Sequence, residues 1–152
     1  MLRLAPLTLL LACGDLGLAD TLSDGKGGEI TVEPSGVLDF GAVSQFADHP
    51  GSLTVTVVSS GYETIEVSDA RTENANQNDA NGGSDGEAFY VGALPFPREI
   101  EPGMEIPFDV KFMPSHNGTF RGNLVIEIAN GSTLSRPLEG DGCNDEDRDG
   151  QC

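Results

Sequence analysis

The fifteen residues from Ile100 to Pro114, IEPGMEIPFDVKFMP, leave this chain few folds to choose from. Pro102-Gly103 sets one φ at about −65° and frees the next to be positive, which is the chemistry of a type II turn. A period of two follows, with Phe108, Val110 and Phe112 on one side and Asp109 and Lys111 on the other. Such a strand buries one face against a second layer and wets the other, as in an antiparallel sheet. Pro114 ends it, because proline cannot donate to a central ladder.

The rest of the chain repeats this pattern. Its 152 residues suit one domain, and with 20 glycines, 9 prolines and no tryptophan, short strands joined by turns are expected. No long stretch places apolar residues at helical spacing. Ile30 and Val32, then Val37, Leu38 and Phe40, flank the turn cluster Pro34-Ser35-Gly36. Leu53, Val55 and Val57 alternate with Thr54, Thr56 and Val58, and Ile65 and Val67 begin the next strand. Residues 71–88 hold no aliphatic side chain larger than alanine and read as a long exposed loop. Phe89-Tyr90-Val91 is a short strand. Further on, Phe120, Leu124, Ile126 and Ile128 share one parity, with Gly122 marking a bend or bulge. Asn130-Gly131 is a hairpin dipeptide, so residues 132–140 should return with Leu134 and Leu138 inward. The expectation is all-β: an immunoglobulin-like antiparallel β-sandwich of about seven strands over residues 30–142.

The two ends read differently. Met1-Leu2-Arg3 and the apolar run to Leu11 form a secretory signal, too short for a membrane-spanning helix. Leu10-Leu11-Ala12-Cys13 looks like the bacterial lipobox, so residues 1–12 are a signal peptide and Cys13 is the lipidation site. Residues 13–29, rich in glycine and acids, are expected to tether the domain, with a reach of roughly 20 Å. The implied address is extracytoplasmic: a membrane-anchored bacterial lipoprotein on the periplasmic side or the cell surface. In that oxidising compartment Cys143 and Cys152 should form a disulfide around the acidic tail, residues 143–152.

Charge and motifs limit the function. With 8 Lys+Arg against 25 Asp+Glu, the net charge of −17 disfavours nucleic acid and fits basic surfaces or cations. His49 and His116 have no ligand-spaced partners, and no nucleophile elbow, zinc helix motif or phosphate loop occurs, so no catalytic residue is assigned. Asp145, Asp147 and Asp149 occupy positions 1, 3 and 5 of a D-x-D-x-D-G loop, the spacing of Ca²⁺ ligands. The bidentate Glu that completes an EF-hand is not among these residues, so a Ca²⁺ loop and an acidic, disulfide-closed tail both stand. No other cofactor is called for.

Phe40-Gly41, Pro102-Gly103 with Phe112-Met113-Pro114, the strand from Gly118 to Ile126, and Leu138-Glu139-Gly140-Asp141-Gly142 together resemble the choice-of-anchor D domains. These are relatives of the ASH, HYDIN and major-sperm-protein group. The resemblance departs at Ser59-Ser60-Gly61, where the family often has an asparagine before the turn glycine. It implies an Ig-like module without catalysis, a monomer that binds a protein or glycan at the cell envelope or acts as a spacer. The alternative is a calcium-dependent structural or adhesion protein that uses the tail.

Overall fold

The computed structural model describes residues 21–74, 88–93, 95–144 and Cys152, which form ten strands and no helix. In order these are β1 (Thr21–Ser23), β2 (Glu29–Glu33), β3 (Leu38–Ser44), β4 (Gly51–Ser59) and β5 (Ile65–Asn74). They continue with β6 (Phe89–Val91), β7 (Arg98–Ile100), β8 (Glu105–Phe112), β9 (Gly118–Ile128) and β10 (Thr133–Cys143). One sheet has the order β1-β2-β4-β8-β6 and the other β3-β10-β9-β5-β7, and together they make an Ig-like sandwich.

The parity read from the sequence places the core. Ile106, Phe108, Val110 and Phe112 of β8 are buried, while Glu105, Pro107 and Asp109 are exposed. Phe120, Leu124, Ile126 and Ile128 of β9 and Leu134 and Leu138 of β10 meet them from the second sheet. Phe112 is fully buried amid rings, with centroids 4.8 Å from Phe89, 5.4 Å from Phe120 and 5.6 Å from Phe40. Gly140 makes room for this cluster, since a Cβ there would lie 2.7 Å from the Phe112 ring. The Pro102-Gly103 turn closes as expected: Gly103 has φ 79° and the Met104 N–H donates to the Glu101 carbonyl at 3.0 Å.

Several expectations are corrected. There are ten strands rather than about seven; β1 and β7 have three residues each, too few for a periodic signal. The fold begins before Ile30: β1 pairs with β2 inside the expected 13–29 tether, and Leu22 packs on the core. Glycines and acids around Leu22 hide that strand, because they form its turn. Arg71–Asn74 belong to β5 rather than to a loop. Their polar composition reflects an outer face where Arg71 meets Asp69, Glu73 and Glu127. The sandwich is not wholly antiparallel, for β3 runs parallel to β10 after the chain crosses between sheets. Gly122 pairs with Leu138 in an unbroken ladder, and the irregularities lie at Phe40–Gly41 and at Ser68 instead. Val37, counted with the first strands, is 53% exposed in the crossover.

Two prolines inside strands are accommodated by local edges. Pro107 pairs with Thr56, but β6 meets β8 only from Val110 onward. Pro137 pairs with Asn123, and β3 meets β10 only from Leu138. In each case proline's missing N–H falls where one neighbour strand is absent.

Candidate functional site

Opposite ends of the sandwich carry different loops. At one end, β3 finishes beside the last residues of β10, and Cys143 is joined by a disulfide to Cys152, with Cα atoms 5.8 Å apart. The Gln45 N–H donates to the Cys143 carbonyl at 3.0 Å, and its side-chain amide donates to Asn144 Oδ1 at 3.0 Å. The tail is thus pinned where it leaves the sheet. Asp145, Asp147, Asp149 and Cys13 lie outside the described residues. Among the described residues, no group of three His, Cys, Asp or Glu side chains is placed to hold a metal. The His116 ring packs on Phe120 at 4.7 Å, and His49 sits in the β3–β4 connection.

The other end gathers the β1–β2 turn, the β4–β5 link, the β7–β8 turn and the β9–β10 hairpin. Asp24 builds the first: its Oδ1 accepts from the Lys26 N–H at 2.7 Å and the Gly28 N–H at 3.0 Å. Backbone bonds then tie the loops together. Ser60 and Gly61 donate to the Glu29 carbonyl, Tyr62 and Glu63 to Gly27, Gly103 to Ser59, Ser59 to Met104, and Ala129 to Glu66. Two glycines permit this approach. A side chain on Gly61 would collide with the backbone of Gly27 and Glu29, and one on Gly27, at φ 112°, would strike the Tyr62 ring. Loops bonded in this way hold their shape before any partner arrives, which lowers the cost of ordering on binding.

A cavity of about 330 Å³ opens within this platform. Buried Ile65 and Ile128, with Ala129, give it an apolar base; Asp24, Lys26 and Glu66 supply charge. Tyr62, 79% exposed, and Met104, 37% exposed, stand in the adjoining loops. The connections and their flanking residues carry Asp24, Glu29, Glu63, Glu66, Glu101 and Glu105 against Lys26. Sequence reading missed this site because its residues lie far apart in the chain; its local traces were the glycines at 27, 28 and 61 and the Asn130-Gly131 turn.

The outer face of the second sheet is self-paired. Arg71 Nη1 lies 2.8 Å from Glu127 and 3.4 Å from Asp69, its Nε lies 3.3 Å from Glu73, and Arg121 meets Glu139 at 3.2 Å. The hydrogen bond to Glu127, with the Asp69 bond and the nearby carboxylate charges, holds the Arg71 pKa above its ordinary value despite a desolvation penalty. Of these pairs, Arg71–Glu127 links β5 to β9 and Arg121–Glu139 links β9 to β10, whereas Asp69 and Glu73 flank Arg71 on β5 itself. Arg136, on the inward parity of Leu134 and Leu138, points between the sheets, and its Nη2 donates to the Val32 carbonyl at 3.3 Å. It braces β10 against β2.

Comparison with solved structures agrees with the architecture. The chain is similar to the ASH / PapD-like domain of human CEP192 (PapD-like domain 7), with 13% identity and a TM-score of 0.58, covering 77% of this chain and 87% of that one. It is also similar to the class 5 fimbriae chaperone CfaA, at 10% identity and a TM-score of 0.50, over 72% of this chain and 55% of that one, so it spans about half the chaperone's length. At these identities the likeness speaks for the fold, an ASH/PapD-like Ig-like sandwich. No family model matches the sequence, and no curated protein matches it.

Proposed function

We propose that this chain is a non-enzymatic binding module, anchored by lipid at Cys13 to the bacterial cell envelope, of the choice-of-anchor D kind. The observation that carries the binding-module reading is the loop platform, whose connections are bonded to one another through the backbone, and the anchor rests on the Leu10-Leu11-Ala12-Cys13 string. Thr21 begins the edge strand only eight positions after Cys13, and β1 runs toward the bonded loop platform, since Ser23 pairs with Glu29 across the turn. Eight extended residues span at most about 27 Å. An anchor at Cys13 would hold the domain within that distance of the membrane, with the chain entering the sandwich beside the loop platform, because Thr21 pairs with Thr31, whose other partner Val58 is one position from the end of β4. The edges support action as a monomer: β1, β6 and β7 have three residues each, and β3 is broken by the Phe40–Gly41 irregularity, so none offers a long flat strand for pairing.

Two acyl chains hold a protein by apolar burial, which ionic strength does not weaken, whereas a chain of charge −17 is repelled by anionic lipid. Detergent should extract the protein from envelopes and 1 M salt, of the order that shrinks the Debye length to about 3 Å, should not. Release by salt would contradict the anchor.

A second reading, calcium binding by Asp145, Asp147 and Asp149, draws support from the Cys143–Cys152 closure, which confines the acidic segment to one ring. A cation bound only by the folded state raises the melting midpoint by mass action. A midpoint higher in Ca²⁺ than in EDTA would favour this reading, and equal midpoints would remove it.

A further inference from the structure

We infer that the cavity of the loop platform receives an arginine or lysine side chain presented by a basic partner protein, an inference that rests on reading the chain as a binding module. Three observations converge. The base, Ile65, Ile128 and Ala129, is apolar and suits the methylene stem of a long basic residue, which such residues bury while keeping the charged head in contact with polar groups. Asp24 and Glu66 place two carboxylates beside that base, and Asp24 is held in position by the N–H groups of Lys26 and Gly28. The surrounding connections add Glu29, Glu63, Glu101 and Glu105, so the field over this end attracts a cation and repels an anionic partner.

Lys26 is the opposing charge in the lining. Its presence makes the two ligand classes separable: removing it should help a cation and hurt an anion. The bonded loops matter too, because a preformed cavity loses little freedom on closing around a side chain.

The test is a ¹⁵N–¹H titration of the full chain in non-ionic detergent with N-acetyl-argininamide, using the uncharged isostere N-acetyl-citrullinamide as control. Argininamide should move the amide signals of residues 24–28, 65–66 and 128–130, and citrullinamide should move them far less. Glu66→Gln should weaken the response about fivefold, the effect of losing one solvent-screened charge contact, and Lys26→Ala should strengthen it by a similar factor. Glu66 and Lys26 are exposed, so neither variant threatens the core. Unmoved signals, equal responses to both probes, or a weaker response in Lys26→Ala would overturn the inference. Loss of the lipid anchor would leave this titration unchanged, and a flat titration would leave the anchor standing, so the two failures are distinguishable.

Discussion

Phe112→Ala is expected to cost about 3–5 kcal/mol, the range for truncating a fully buried phenylalanine. The ring touches the aromatic neighbours of both sheets, Phe40, Phe89 and Phe120, and Gly140 leaves no side chain that could move into the void. Against a total stability of about 5–15 kcal/mol, that loss is a large share. Urea titration should show a lower midpoint with an unchanged slope. A loss under about 1 kcal/mol would mean that Phe112 does not hold the two sheets together.

Gly142→Ala should cost about 2–3 kcal/mol, the upper part of the usual range for overpacking. A Cβ there collides with the His116 carbonyl and comes within 2.8 Å of Pro114 and 2.9 Å of the Phe120 ring. A carbonyl fixed in the β8–β9 connection yields less easily than a side-chain tip. Gly36→Ala is the contrast: its φ is 85°, but nothing lies within 4 Å of the added atom. It should lose only the backbone term of about 1–2 kcal/mol. Equal losses in the two variants would show that the Gly142 contact relaxes freely.

What the sequence disclosed and what it hid divide along physical lines. Phe108, Val110 and Phe112 could be placed inward because a strand face repeats every second residue and needs no knowledge of its partner. Asn130-Gly131 could be read as a hairpin because a tight turn is decided by two residues, and the β9–β10 ladder follows from it without a break. The Leu138 to Gly142 segment was legible as a motif, but its reason was not: Gly140 and Gly142 are small because Phe112 and Phe120 occupy their space. β1 and β7 escaped notice because three residues cannot display a period and, unlike Phe89-Tyr90-Val91 with its two rings and a β-branched side chain, each offers one large apolar residue, Leu22 or Ile100. The parallel β3–β10 pairing depends on where the crossover after Pro34 lands, which no local signal specifies.

The candidate site was the least legible part. Asp24, Glu66 and Ala129 meet only after three separate connections fold onto one end, and each alone reads as a surface residue. Arg136 is similar: its parity with Leu134 and Leu138 points it inward, but the Val32 carbonyl that accepts from its guanidinium lies on the other sheet and leaves no local sign. The chemistry proposed for Cys13 rests, by contrast, on sequence spacing alone.

The most direct test of the anchored-module account is metabolic labelling with a fatty-acid analogue, run on wild type and on Cys13→Ser. Wild type should carry the label on a mature chain that begins at Cys13, and Cys13→Ser should carry none. A wild-type chain that takes up no label would contradict the anchor on which the account depends.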